Sequence, residues 1–321
     1  MDRIALFEHP LKSTPLVPLS GQYCDNRIWI KRDDLIPFSF GGNKVRKAAE
    51  FYKVLQEKGS DLVMTYGSNT SNHCRVIPNL AFALGIRCHI ISPESTESDS
   101  YNRLMVERFG ATVETCPVAA VSDTIDARMD AFRAEGKNPY FIMGGGHGIH
   151  GTTAYVKAYE EICLQQLEYG TGFDLLFHAS GTGSTQAGLT CGRLKYLSQK
   201  KQCPKVVGIS IAREAGRGRQ VIRESIAQYL GESDASLYRD EELLFTDRFR
   251  LGGYGNYNEE VTQLIGKVML HEGIPMDTTY VGKAFYGMLK YLEMKKIKGR
   301  NILFIHTGGT PLYFDHLKGE S

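Results

Sequence analysis

Ile28-Trp29-Ile30-Lys31 runs into Arg32-Asp33-Asp34, and a few residues later Phe40-Gly41-Gly42 leads into Asn43-Lys44-Val45-Arg46-Lys47. An apolar, β-branched run gives way to a charged turn, then to two glycines, then to a segment of helical period with a lysine at its start. A second junction of this kind lies far downstream. Leu175-Leu176-Phe177-His178-Ala179 passes into Ser180-Gly181-Thr182-Gly183-Ser184-Thr185-Gln186-Ala187-Gly188. Strand, glycine loop and helix in that order are the units of a parallel sheet covered by helices.

Outward from these junctions the alternation continues along the chain. Strands are expected at Arg27–Lys31, Leu62–Tyr66, Arg87–Ser92, Thr112–Cys116, Tyr140–Met143, Asp174–Ala179, Lys205–Ile211 and Asn301–His306. Helices are expected at Asn43–Lys58, Ser71–Leu84, Ser100–Phe109, Val121–Ala134, Thr152–Glu168, Ser184–Leu197, Asn258–Glu272 and Gly282–Met294. This predicts an α/β protein with mostly parallel sheets covered by helices on both faces. A length of 321 residues suits two domains or one large one.

Composition narrows the function. With 38 Lys+Arg against 36 Asp+Glu, the net charge of +2 gives no electrostatic reason to expect nucleic acid or an anionic membrane as partner. No apolar run approaches the length of a membrane span, and Met1 to Pro10 carries Asp2, Arg3, Glu8 and His9 where a secretory segment would be apolar. Seven scattered cysteines, never in C-x-x-C spacing, fit reduced thiols in a cytoplasmic protein. No metal site is expected: His147 and His150 in Gly-Gly-Gly-His-Gly-Ile-His-Gly lack a nearby carboxylate or Cys, and the segment reads as a loop crossing between domains. Of 34 glycines, sixteen fall in five short clusters, which points to backbone wrapped around a ligand.

The Gly181 to Thr185 loop opens a helix, so its N–H groups, hydroxyls and the positive end of the helix dipole make a phosphate site. It lacks the lysine of a Walker loop, and Gln186 stands at the sixth position of a dinucleotide fingerprint. The next strand ends at Ala212-Arg213 and not at an acid for a ribose. A phosphate monoester fits better. Lys44, just past two glycines, sits where the helix dipole and nearby Arg32, Arg46 and Lys47 disfavour its charge. A lysine of lowered basicity together with a non-nucleotide phosphate loop points to pyridoxal 5'-phosphate held as a Schiff base.

Six stretches also carry a resemblance: Thr14-Pro15-Leu16; Lys31-Arg32-Asp33-Asp34 with Gly41 to Lys47; Ser71-Asn72-His73-Cys74-Arg75; Gly181 to Gly188; Tyr280-Val281-Gly282-Lys283; and His306-Thr307-Gly308-Gly309. Through these the chain resembles the pyridoxal-phosphate enzymes of the tryptophan-synthase-β-like fold, specifically the D-cysteine desulfhydrase / 1-aminocyclopropane-1-carboxylate deaminase family. The resemblance implies two domains, a larger one from residues 1–47 and 159–321 and a smaller one from 48–158, with the cofactor between them. It implies Lys44 as Schiff-base lysine and mover of the Cα proton, and Asn72 on the cofactor's phenolic oxygen. Gly181, Thr182, Gly183, Ser184 and Thr185, with Lys47, would hold the phosphate. Ser71, Asn72 and His73 would grip the substrate carboxylate. Tyr280 and Tyr254 would stand near the substrate as proton donors, and Thr307 would partner the pyridine nitrogen. A homodimer is the family expectation.

The implied reaction is β-elimination from a small amino acid, in which the β-substituent leaves and the aminoacrylate hydrolyses to a 2-oxo acid and ammonia. Thr307 and His73 agree with the desulfhydrase branch, so sulfide release is the expectation. Ring-opening members usually carry Glu where Val281 stands and Leu where Thr307 stands. Thr70 and Val76 replace the common Gln on either side of the Ser71 motif, which keeps a specialised elimination or replacement enzyme open. A nucleotide-dependent oxidoreductase or a non-catalytic phosphate-ligand binder is the alternative from another class.

Overall fold

A computed structural model describes residues 5–9, 11–21, 23–68, 70–94, 100–199, 203–234 and 237–320. Met1 to Ile4 and Pro10, part of the segment read above for a secretory leader, lie outside these. In chain order the elements are α1 (Ala5–Glu8), β1 (Leu16–Pro18), β2 (Arg27–Lys31), α2 (Asn43–Glu57), β3 (Leu62–Tyr66), α3 (Asn72–Leu84), β4 (Arg87–Pro93), α4 (Tyr101–Arg108) and β5 (Thr112–Cys116). There follow α5 (Val121–Ala134), β6 (Pro139–Ile142), α6 (Ile149–Glu168), β7 (Leu175–Ser180), α7 (Ser184–Ser198), β8 (Lys205–Ser210) and α8 (Ala215–Asp234). The chain ends with β9 (Leu244–Thr246), α9 (Glu259–Glu272), α10 (Val281–Met294), β10 (Asn301–Ile305) and α11 (Thr310–Glu320).

Among the described residues the strands form two sheets. The larger runs β1-β2-β10-β7-β8-β9 and the smaller β5-β4-β3-β6. Every pairing is parallel except that of the short edge strand β1 with β2. Both faces of the larger sheet are covered, which is why its central strands are apolar without alternation. Phe177 and Ile209 point to a core shared with α9 and α10, where Val261, Ala284 and Met288 pack. Their neighbours Leu176 and Val206 point the other way, to Tyr155 and Tyr159 of α6 and Leu189 of α7. In the smaller sheet Val63 and Ile90 meet α2 and α3, while Met64 and Ile91 meet Met129 of α5.

β2, β3, β5 and α5 occupy the residues expected from the sequence. The elements that were not anticipated are those with weak local signals. β1 and β9 are three residues long. α1 is a single turn, and α8 carries Gly216, Gly218 and Gly231, which lower helix propensity. α11 opens with Thr310-Pro311, a helix-start signal hidden by the glycines before it. The boundaries expected at 47/48 and 158/159 fall inside α2 and α6. Val45 and Ala48 of α2 share a core with the smaller sheet, whereas Tyr155, Ala158 and Tyr159 of α6 share one with the larger.

A buried cluster of charges fastens α2 to the larger sheet. Arg46 donates to Asp33 Oδ1 at 2.7 Å and Oδ2 at 2.8 Å, and to Glu161 Oε2 at 2.8 Å. Lys31 contacts Glu161 and donates to the Thr14 carbonyl at 2.7 Å. The Tyr155 hydroxyl closes the cluster on Asp33 at 2.8 Å. Two cations face two carboxylates, so the interior holds no net charge here. The nearby cations hold the carboxyls of Asp33 and Glu161 below the usual range in spite of burial.

Candidate active site

A cavity of about 650 Å³ opens between the two sheets. Its strand-derived walls all follow carboxyl ends: Gly67 and Ser68 after β3, Pro93 of β4, Met143 to Gly145 after β6, Gly181 to Gly183 after β7, Ile211 to Arg213 after β8, and Thr307 after β10. Open parallel sheets place ligands at such edges.

Lys44 lies in the first turn of α2 and reaches across the cavity to donate to the Gly145 carbonyl at 3.0 Å. Burial brings its pKa down to about 8. The sequence reading assigned this depression to the helix dipole with Arg32, Arg46 and Lys47; the structure puts burial first. Arg32 is paired with Asp34, and Arg46 with Asp33 and Glu161, so burial is the dominant cause. Gly145 has φ of +71°, and a Cβ there would fall 2.6 Å from Thr182 Cγ2 and 3.4 Å from the Lys44 amine. Only glycine leaves that space open.

Gly181, Thr182, Gly183 and Thr185 line the end of the cavity at the start of α7, where helix geometry leaves N–H groups without intrahelical acceptors. Asn43 Nδ2 donates to Thr185 Oγ1 at 3.3 Å. Lys47 and Ser184 do not line the cavity but lie behind this wall. The Lys47 amine donates to Ser184 Oγ at 2.7 Å and to the Gly145 carbonyl at 3.2 Å. Both partners are neutral, and burial, with Lys44 close by, pushes the Lys47 pKa well below the usual lysine range.

On the opposite wall Ser71 caps α3, its Oγ accepting from the N–H groups of His73 (3.2 Å) and Cys74 (3.3 Å). The hydroxyl proton remains for a ligand. Asn72 Oδ1 accepts from Arg75 Nη1 at 2.7 Å and from Asn102 Nδ2 at 3.1 Å, so the amide nitrogen is the end left for the cavity. Asn102 Nδ2 also donates to the Thr70 carbonyl at 2.8 Å. The imidazole of His73 is not with them. Thr65 Oγ1 donates to the Ile142 carbonyl at 2.7 Å, so the 2.7 Å contact of His73 Nε2 with the same oxygen makes Nε2 the protonated nitrogen. Burial and the two nearby lysines hold the ring neutral. The side chain of His73 thus turns inward to Thr65, and what it offers the helix start is its backbone N–H.

Tyr254 and Tyr280 line the cavity together, their hydroxyl oxygens 2.6 Å apart and their rings edge-on at 5.7 Å. Tyr280 stands just before α10, where the Asp277 carboxylate accepts from the N–H groups of Thr279 (2.9 Å), Tyr280 (2.6 Å) and Val281 (3.1 Å). Burial and its tyrosine neighbour push the Tyr280 phenol well above its usual pKa, so it is neutral. Thr307 lines the cavity and makes no side-chain hydrogen bond among the described residues, while Val281 packs in the core under α10.

Sequence reasoning passed over several residues. Gly145 and His147, read above as part of a crossing loop, are cavity wall, and His147 Nδ1 is buried without a partner. Arg213, which donates to the Gly181 carbonyl at 2.6 Å, and Asn102, which fixes Asn72, were also missed. The run of three glycines before His147 was the available signal. Asn102 had none, because its partners are 30 residues away.

A family model described as pyridoxal-phosphate dependent enzyme matches residues 8–308. A D-cysteine desulfhydrase of Yersinia enterocolitica serotype O:8 / biotype 1B is 33% identical over 315 residues, 94% of this chain and 93% of that protein. The D-cysteine desulfhydrase of Klebsiella pneumoniae subsp. pneumoniae is 32% identical over 314 residues, 94% and 93% of the two chains. A crystal structure of an ACC deaminase homologue superposes with a TM-score of 0.81 at 32% identity, over 99% of this chain and 98% of that one.

The residues present fit that cofactor. A lysine of lowered basicity faces the cavity, with no carboxylate bonded to it among the described residues. A glycine-rich helix start, backed by the buried Lys47 with only neutral partners, forms the end of the cavity beside it. Among the described residues of the lining Glu224 is the one acid, so nothing at that end opposes a dianion except a carboxylate on α8. With its chemistry, its relatives and its fold in agreement, the chain belongs to the pyridoxal-phosphate-dependent enzyme family, as a lyase on the tryptophan-synthase-β-like fold.

Proposed function

We propose that the protein is a D-cysteine desulfhydrase-like enzyme, converting a small β-substituted amino acid and water to a 2-oxo acid, ammonia and, from cysteine, hydrogen sulfide. The observation that carries this reading is Lys44. It is an amine whose pKa burial lowers to about 8, bonded among the described residues only to a carbonyl and sharing the cavity with a helix start fit for a carboxylate. The two desulfhydrases at 33% and 32% identity support the substrate class.

Bound pyridoxal phosphate supplies the electron sink that makes a substrate Cα–H acidic. Lys44 would hold the cofactor, then take the Cα proton once its amine is released as a free base. Ser71 Oγ–H and the first N–H groups of α3 would bind the substrate carboxylate, using the helix dipole. The Asn72 amide and the Thr307 hydroxyl, two uncommitted polar groups beside the cavity, would orient the ring. Gly181 to Thr185 would hold the phosphate, with the charge of Lys47 behind them. Tyr280, neutral and bonded to Tyr254, would donate a proton to the departing thiolate. Elimination takes a proton from Cα and thiolate from Cβ; protonation of the released aminoacrylate at Cβ and hydrolysis of the resulting imine give the 2-oxo acid and ammonia, so Cα is oxidised by the two electrons that reduce Cβ and no external oxidant is needed.

We also read the protein as a homodimer in a reducing compartment. Family expectation supports the first, and seven cysteines without a disulfide support the second. The test of the activity is a panel of D-cysteine, L-cysteine, D-serine, cysteate and aminocyclopropane-carboxylate, assayed for sulfide and 2-oxo acid. Equimolar sulfide and pyruvate from D-cysteine is the expected result. Turnover of aminocyclopropane-carboxylate without sulfide from either cysteine would replace this reading by ring opening.

A further inference from the structure

Lys283 is fully buried on α10, yet among the described residues no carboxylate pairs with it. Its amine donates to three backbone carbonyls: Gly253 at 2.6 Å, Arg250 at 3.2 Å and Ile211 at 3.2 Å. An ammonium has three donors, and all three are used. Burial lowers its pKa to about 8, with Asp277 acting in the opposite direction, so at neutral pH it is mostly charged. A solvated surface role is ruled out, and a buried cation held only by carbonyls must be offset by what it holds together.

What it holds is informative. Ile211 follows β8 and lines the cavity. Arg250 and Gly253 belong to a loop that carries Leu251, Gly252, Gly253 and Gly255 at positive φ. Within the loop the backbone bonds are short-range turns such as Gly253 N–H to the Arg250 carbonyl at 3.1 Å, while Leu251 packs on the core and the Arg250 side chain bonds Glu214 at 2.9 Å. Tyr254 is the next residue, half exposed, and its hydroxyl bonds Tyr280. Tyr280 is the cap residue before α10 and Lys283 lies in the first turn of that helix. The loop is therefore tied to α10 at two adjacent points, one through Tyr254 and one through the carbonyl just before it.

We propose that Lys283 is a positioning residue for the reaction: it pins the 250–253 backbone so that the Tyr254 hydroxyl stands against Tyr280 over the cavity. This rests on the reading that Tyr254 and Tyr280 serve proton transfer. A merely structural lysine would glue α10 to β8 and leave the loop's behaviour and the tyrosine's contribution untouched.

Lys283→Met keeps the stem and removes all three donors. In holoenzyme, hydrogen exchange of the 250–256 amides should quicken by at least about tenfold, while β7 and β10 keep their protection. Turnover should fall, and in a Tyr254→Phe background Lys283→Met should cost nothing further, because both changes remove one and the same arrangement. Unchanged exchange in 250–256 would overturn the proposal, and so would losses that multiply in the double variant. If Tyr254→Phe alone turns over normally, the reading of the tyrosines fails, and exchange in the loop still decides whether Lys283 pins it. Should Lys283→Met not fold, Lys283→Gln, which keeps only amide donors on a shorter stem, is read by the same two measurements.

Discussion

Lys44 was legible at the level of single residues because its neighbours in sequence, two glycines and a helix start, already limit what a lysine there can do. What was not legible is why its basicity falls. The charges of Arg32 and Arg46 are cancelled by Asp34, Asp33 and Glu161, and burial of the amine itself brings the pKa down. The sign of the pH effect follows. Below about 8 Lys44 is mainly an ammonium, so the reactive free amine grows about tenfold per pH unit up to that point and then saturates. Labelling of apoprotein by pyridoxal phosphate and borohydride should rise about tenfold from pH 6 to 7 and level off above about 8. A rate still climbing past pH 9 would assign the label to an ordinary exposed lysine, and Lys44→Ala should abolish the label at every pH. His73 shows the opposite limit. Its place after Asn72 suggested a ligand contact, but a helix start sends successive side chains in different directions, and the imidazole goes to Thr65.

Among the elements, α2 is held by the cluster of Lys31, Asp33, Arg46 and Glu161. In two of the family-like stretches, Thr14 in the first and Lys31, Asp33 and Arg46 in the second serve this packing rather than contact with a ligand. Sequence alone could not separate the two causes, because Glu161 and Tyr155 come from α6 and close the cluster only in three dimensions. Arg46→Met leaves two carboxylates facing one lysine in the interior, and should lower stability by about 3–5 kcal/mol, measured by urea unfolding at pH 7. Acid should act in the same place. The folded-state pKa values of Asp33 and Glu161 are depressed, so their contribution is present above the ordinary carboxylate range and is lost as pH falls through the lowered values. The wild type should therefore lose more stability than Arg46→Met between pH 5 and pH 3. Equal losses would place the acid-sensitive groups elsewhere.

Across the whole molecule, the alternation of strand and helix was readable because parallel strands buried on both faces leave apolar runs of a recognisable length. The order of those strands was not readable. β10 sits between β2 and β7, an insertion of the last strand between early ones that no local pattern encodes. That insertion brings Thr307 to the same cavity as Lys44, Asn72 and Gly181, so a ligand filling it would touch the carboxyl ends of both sheets. Binding only to the folded state raises stability by about 2.7 kcal/mol at a hundredfold excess over Kd. Stripping the cofactor should lower the melting temperature by about 5–10 °C on that scale. No change in melting on removal would mean that the site does not bridge the sheets in solution.

Two lysines share a single acceptor, the Gly145 carbonyl, and the inner one, Lys47, has a pKa pushed well below its usual value with no anion beside it. Arrival of a dianion at the α7 start reverses that balance, since a charged partner favours the ammonium. Anion binding and proton uptake are then one thermodynamic event. Inorganic phosphate titrated into apoprotein at mildly alkaline pH should give a calorimetric heat that changes with the ionisation enthalpy of the buffer. The slope of that dependence counts the protons taken from solution, and Lys47→Met should flatten it.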